Sequence, residues 1–374
     1  MHKGHRSRRR VAFVILLLLI VVVVVLLHST EWLASLGGRV QGARLQRAKR
    51  SPQFADGRFR NAQKSRLIKT SYREMLRRQF FGKEQRSPVR PVPVVMRTRQ
   101  DYATPAASGL RATWIGWASV LVEIDGRYVL TDPVWSERCS PSTLVGPKRF
   151  HAPPIALEEL PSIDVVVISH DHYDHLDMPA VRFLGTRGTH FAVPLGIGAH
   201  LERWGVPAEQ IHELDWNESL ELHELTITAT PARHYSGRNP RHSNETLWAS
   251  WVVKGPRHRI FFSGDTGYAD HFRAIGAVHG PFDLALIKIG ASDPTWSDIH
   301  MTPEEAVQAD VDLGARVMLP VHWATFNLAF HAWRDPADEA LAAAKKANVT
   351  IAIPRPGEFV EPDAGLKPVE VWWN

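Results

Sequence analysis

The pattern His170-x-His172-x-Asp174-His175 places three imidazoles and a carboxylate within six residues, directly after the apolar run Val165 to Ile168. Side chains at the C-terminal end of such a strand leave the core and can converge on a cation. His170 and His172, two apart, point the same way if strand alternation persists, while Asp174 and His175 lie one turn on and can face a second ion. Two ions about 3.5 to 4 Å apart need more ligands than this loop holds. Three further ligand types stand after apolar runs: His234 after the strand ending Thr230-Pro231, Asp265 after Ile260 to Gly264, and His322 after Leu319-Pro320-Val321. Alone, each reads as a cap or turn residue; together, behind the histidine segment, they read as the rest of a ligand set. Cys139 is the single cysteine, which excludes an intramolecular disulfide and a cysteine-based zinc site. Metal chemistry here must use histidine and carboxylate.

The elements that must position these groups begin near Ala112. Ala112 to Ile115, Ser119 to Ile124 and Tyr128 to Thr131 are short apolar or alternating runs, the last two joined by the hairpin signal Asp125-Gly126. Strands are then expected at Val165 to Ile168, Leu225 to Thr230, Trp248 to Lys254, Arg259 to Ser263, Leu284 to Ile289 and Val317 to Val321. Helices are expected at Ile197 to Trp204, Asp270 to Val278, Pro303 to Leu313 and Asp335 to Lys346. Thr302 before Pro303, with Glu304 and Glu305 in the first turn, is a strong helix start. Hairpins followed by α/β alternation predict two mixed sheets flanked by helices. The numerous tryptophans fall mostly in strand patterns, such as Trp248 and Trp251, and read as core.

Charge is divided unevenly. Residues 1–100 carry 23 Lys and Arg against 4 Asp and Glu, which leaves 22 against 35 for the remainder. The first quarter is thus a basic arm on an acidic globule. Within it, Val11 to Leu27 is an uncharged apolar run of 17 residues, just long enough at about 1.5 Å per residue to cross a hydrocarbon core. It is expected to be a single transmembrane helix, an uncleaved signal anchor because the run is long and no clear small-x-small cleavage site follows, with a cleaved signal peptide as the alternative. Lys3, Arg6, Arg8, Arg9 and Arg10 precede the run, so the N-terminus is expected in the cytoplasm and the rest on the opposite side. A basic arm beside an apolar span points to anionic lipid and away from nucleic acid. The expected division is an anchor over 1–30, a basic linker over 31–100 with one short helix near Tyr72 to Phe81, and a catalytic domain over 101–374.

The seven residues His170, His172, Asp174, His175, His234, Asp265 and His322 resemble the full ligand set of the metallo-β-lactamase superfamily. The flanking text, over roughly Gly57 to Phe330, resembles the branch of phospholipases D that hydrolyse N-acylphosphatidylethanolamine. The similar stretches include Gly57-Arg58-Phe59, Trp114-Ile115-Gly116, Thr131-Asp132-Pro133, Gly146 to Phe150, Glu213 to Trp216, Gly264 to Tyr268, Gly280 to Leu284 and His322-Trp323-x-Thr325-Phe326. One departure stands out: the family's usual Gly-His-Ala-Ser is here Gly116-Trp117-Ala118-Ser119.

The resemblance implies a four-layer αβ/βα sandwich and two zinc ions per chain. His170, His172 and His234 would hold one, Asp174, His175 and His322 the other, and Asp265 would bridge them. Imidazole and carboxylate suit zinc and leave manganese and iron open. Asp174, Asp265 and His300 are the catalytic groups it implies; His300 would contact the phosphate or aid the leaving group. Trp117, Lys148 and Arg149 would join His300 in meeting the substrate. Asp132 and Asp177 are the carboxylates suited to orient zinc-bound rings, although Asp132-Pro133 also reads as a turn opener. The implied reaction is hydrolysis of the phospholipid to phosphatidic acid and N-acylethanolamine, and the implied assembly a homodimer. A lactonase for phosphorylated sugars on the same scaffold is the alternative, and a non-catalytic membrane adaptor a second.

Overall fold

The computed structural model describes Leu16 and residues 31–239 and 242–374. Helices α1 (Gly42–Ala48) and α2 (Tyr72–Phe81) and the two-stranded ribbon β1 (Phe54–Ala55) and β2 (Arg58–Phe59) precede the main body. A seven-stranded sheet follows, built from β3 (Leu110–Gly116), β4 (Ser119–Ile124), β5 (Arg127–Thr131), β6 (Val165–Val167), β7 (His190–Pro194) and β8 (Ile211–Leu214), with the late β15 (Phe359–Val360) beside β3. The second sheet runs β9 (Ser219–Leu222), β10 (Leu225–Thr230), β11 (Ser250–Lys254), β12 (Arg259–Phe262), β13 (Leu284–Lys288) and β14 (Met318–Val321) in spatial order. In both sheets antiparallel hairpins give way to parallel strands, from β5–β6 in one and from β12–β13 in the other.

Alternation explains how the layers close. Val165 and Val167 on β6 join the core between the sheets, whereas Val166 between them joins the core beneath α3 (Met178–Gly185). A strand buried on both faces must be apolar throughout, which is why Val-Val-Val suits this place; each such side chain contributes about 1.5 to 3 kcal/mol on burial. α3 and α4 (Gly198–Arg203) cover the first sheet, and α5 (His271–His279), α6 (Pro303–Leu313) and α7 (Asp335–Ala347) cover the second. The result is the expected αβ/βα sandwich. Asp125 and Gly126 both have positive φ, the backbone a two-residue hairpin turn demands. Thr302 and Glu305 form a capping box on α6, and Gly314 ends it in the left-handed conformation.

The basic segment packs on this body. Phe59 is fully buried in the central core, Arg44 pairs with Glu202 and Glu213, and Arg78 with Asp293. Trp248 and Trp251 are fully buried, as their strand pattern implied.

The expectation of a single-pass membrane protein is corrected. Among the described residues no helix is long and apolar enough to cross a membrane. The expected span itself, 11–27, lies outside the described residues apart from Leu16.

Candidate metal centre

Every residue of the histidine-rich set sits on a loop leaving the C-terminal end of a strand. The loop after β6 carries His170, His172, Asp174 and His175; the loops after β10, β12 and β14 bring His234, Asp265 and His322. The first sheet thus supplies four and the second three. Gly264 makes the approach possible. Its φ is +53°, and a Cβ there would lie 2.4 Å from Ser169 Cβ, so a side chain would push Asp265 away from the histidines.

Among the described residues two clusters of potential ligand atoms take up the seven residues, and a third, overlapping them, sets His300 beside His234 and Asp265. His170, His172 and His234 form the first, Asp174, His175, Asp265 and His322 the second, and within each the ligand atoms lie within 4.8 Å of one another. His170 Nε2 and His172 Nδ1 are 2.8 Å apart, and His234 Nε2 is 3.4 Å from the same His172 nitrogen. Asp265 reaches both clusters, with Oδ1 3.0 Å from His322 Nε2 and Oδ2 3.8 Å from His234 Nε2. His175 Nε2 stands 3.4 Å from Asp174 Oδ2 and 3.5 Å from Asp265 Oδ2.

These groups fit a cation for two reasons. Asp265 Oδ1 and the Nε2 atoms of His175 and His322 are buried without hydrogen-bond partners; the 3.0 Å approach of Asp265 to His322 lacks hydrogen-bond geometry. Buried polar atoms turned toward one another carry a desolvation cost that a shared ion removes. At His170 and His234 protonation points the same way, whereas Asp265, Asp174 and Asp132 outweigh burial and hold His175 well above the usual imidazole range. Burial, reinforced by His175, His172 and His234, holds His170 well below the usual imidazole range, and burial pushes His234 down to about 3. Their lone pairs are therefore available. Burial alone would raise the Asp265 carboxyl, but His322, His175 and His300 outweigh it and hold it well below the carboxylate range.

A further layer of contacts sets the rings. Asp132 Oδ2 lies 2.6 Å from His175 Nδ1, and the same carboxylate accepts from the Ser169 backbone N–H and hydroxyl. Ser169 Oγ is also 2.9 Å from His170 Nδ1. Ile299 O faces His234 Nδ1 at 3.1 Å, and Asn61 clasps the His234 backbone through both its amide atoms. Of the two carboxylates expected to orient rings, Asp132 does so. Asp177 does not: it accepts from the Trp135 and Ser136 N–H groups and the Ser136 hydroxyl, and so shapes the neighbouring loop.

A cleft of about 470 Å³ opens onto the centre, floored by His172, Asp174, Asp265, His300 and His322. Leu67, Ile68, Met75, Trp296, Ile299 and Leu328 supply apolar walls, and Tyr235 lies with its ring 4.4 Å from that of His172. His300 lines the cleft, with Nε2 3.8 Å from Asp265 Oδ2. Trp117, Lys148 and Arg149 do not line it. Lys148 pairs with Glu137 at the surface, and Arg149 is buried with its guanidinium on Val134 O and against Phe326. Trp117, 2% exposed, packs on His322 behind the cleft and donates its indole N–H to Asp174. Sequence reasoning also missed Asn61, Ser169 and the three wall residues from the basic segment. Asn61 follows the similar stretch Gly57-Arg58-Phe59, and Ser169 directly precedes His170; those neighbourhoods were the available signals.

Comparison with known proteins places this geometry. Residues 127–323 match the family model described as a beta-lactamase superfamily domain. An uncharacterized protein of Mycobacterium tuberculosis is 48% identical over 353 residues, covering 93% of each chain. The N-acyl-phosphatidylethanolamine-hydrolyzing phospholipase D 1 of Caenorhabditis elegans is 41% identical over 249 residues, 63% of this chain and 69% of that one. Among solved structures, a metallo hydrolase from Ignicoccus hospitalis shares the fold, with a TM-score of 0.52 and 24% identity over 67% of this chain and 97% of that one. With the family match, the sandwich and the paired histidine and aspartate clusters in agreement, the chain belongs to the metallo-β-lactamase superfamily and is a metal-dependent hydrolase.

Proposed function

We propose that this hydrolase is a zinc-dependent phosphodiesterase of phospholipase D type, taking N-acylphosphatidylethanolamine or a related phospholipid to phosphatidic acid and an N-acylethanolamine. The observation that carries the reading is the wall of the cleft. A lipid phosphodiesterase needs an apolar path beside the metals, whereas a sugar-phosphate lactonase needs a small polar pocket with cations for a fixed phosphate. Leu67, Ile68, Met75, Trp296, Ile299 and Leu328 supply the first, and among the described residues neither lysine nor arginine lines the cleft. The likeness to the nematode phospholipase supports the same choice.

His170, His172 and His234 would hold one zinc, Asp174, His175 and His322 the other, with Asp265 between them. When bound, such a pair activates the attacking water and offsets charge on the phosphate oxygens. The protein's own groups do the remaining work. Asp132 fixes the His175 ring, and the apolar walls hold the acyl chains and exclude bulk water. Burial and then the nearby Lys288 keep His300 well below the usual imidazole range, so its neutral ring would meet the phosphate as an N–H donor. In the reaction water oxygen bonds to phosphorus, the phosphorus–oxygen bond to the ethanolamine breaks, and the departing oxygen takes a proton.

The test is release of N-acylethanolamine from N-acylphosphatidylethanolamine in mixed micelles by zinc-loaded protein, abolished by His172→Ala. Protein that leaves this lipid untouched yet opens a phosphorylated sugar lactone would replace the phospholipase reading with the lactonase one.

A further inference from the structure

Trp117 lies in the turn joining β3 to β4, where Gly116 has a φ of +132° and Trp117 itself +52°. A bulky residue takes the left-handed region only where its surroundings over-determine it, and three hydrogen bonds do so here. Its N–H donates to Thr325 Oγ1 at 2.7 Å, and its carbonyl accepts from the His322 N–H at 2.8 Å and the Trp114 indole at 2.9 Å. The turn is thereby tied to the loop that carries His322, and the side chain is delivered onto the second cluster. Its indole N–H donates to Asp174 Oδ2 at 3.0 Å, and its ring centre lies 3.9 Å from that of His322. Phe326 closes on the other side, ring centre at 5.5 Å.

We propose that Trp117 is a positioning residue for the second ion, holding the Asp174 carboxylate and the His322 ring in their binding orientations before the ion arrives. Asp174 Oδ2 is the oxygen that faces His175 Nε2 at 3.4 Å and His322 Nε2 at 3.6 Å. A carboxylate oxygen has two lone pairs; the indole takes one and leaves the other aimed into the cluster. Indole is a donor only, so it orients the carboxylate without competing for the cation, as an imidazole lone pair at this position could. The indole ring, tilted by 41° against the imidazole, meanwhile limits rotation of His322. The inference rests on the ligand set of the proposed function and is independent of which substrate the cleft takes.

Trp117→Phe keeps an aromatic ring on His322 and removes the N–H. Zinc affinities of the full chain are read by competition with a chromophoric chelator, beside the visible spectrum of the cobalt-loaded protein. One of the two zinc constants should weaken by about ten- to a hundredfold, with the other unchanged and the cobalt bands of the affected site shifted. Two constants equal to those of the parent, or an equal loss at both sites, would overturn the proposal. If the phenylalanine variant does not fold, 3-benzothienylalanine at position 117, which puts sulfur in place of N–H at nearly constant shape, is judged by the same outcomes. Because the readout is metal binding, failure on the lipid substrate leaves this proposal standing, and the reverse also holds.

Discussion

The Asp132 carboxylate sits 2.6 Å from Nδ1 of His175, and both side chains are fully buried, 43 residues apart in the chain. The contact leaves Nε2 of His175 as the nitrogen turned toward Asp174 and Asp265. Asp132→Asn should therefore lower affinity for the second ion by roughly ten- to a hundredfold, the usual cost of losing a partner that orients a ligand. Metal titration of the purified variant checks this; an unchanged second constant would remove Asp132 from the site.

Asp265 faces both clusters, Oδ1 toward His322 and Oδ2 toward His175 and His234, and its loss should be felt by both. Asp265→Ala is expected to abolish hydrolysis and to retain at most one metal per chain. Elemental analysis reads the stoichiometry, and full occupancy in this variant would contradict a bridging role.

The cleft wall makes a prediction about substrate size. Ile68 lines the cleft yet is 39% exposed, so Ile68→Glu should leave the fold intact while placing a charge on the proposed acyl path. Losing burial of such a side chain is worth about 1.5 kcal/mol, which corresponds to a KM for the long-chain lipid raised roughly tenfold. Turnover of a small aryl phosphodiester should not change. Equal losses on both substrates would show that the path does not run past Ile68.

Asp310 on α6 carries no catalytic assignment and offers a test of stability against pH. It is 2% exposed, its Oδ1 lacks a partner, and burial pushes its carboxyl up to about 8 from an ordinary 3.8. A raised folded-state pKa means that the contribution is fully present below pH 3.8 and is lost as pH climbs to about 8. Asp310→Asn should accordingly melt above the parent at pH 8, by an amount reflecting about 1 to 3 kcal/mol, and the gap should close as pH falls toward 4. A gap independent of pH would refute the assignment.

The ligand pattern was legible because sequence order and geometry coincide there: each residue follows an apolar run that had to be a buried strand, and the loop after such a strand faces the site. The helix at Pro303–Leu313 was legible for a local reason, its Thr302 and Glu305 capping signal. What could not be read depended on distant partners. Asp177 is close to the histidines in sequence yet serves Trp135 and Ser136, while Asp132, far away, reaches His175. Lys148 and Arg149 have the right charge for a phosphate, but Glu137 and the buried Val134 carbonyl claim them. β8, Ile-His-Glu-Leu, went unrecognised because an edge strand with polar centre lacks both alternation and a continuous apolar run.

The division of the seven residues between two sheets has a consequence for how the protein matures. Neither sheet alone presents a complete set, and His175 and His322, whose rings lie 5.1 Å apart, meet only after the intervening strands have found their places. Ion capture would then be a late event, possible only once the halves of the sandwich have docked, and a bound ion would act as a rivet through both. Stripping it should leave the assembly route untouched and quicken the parting of the sheets.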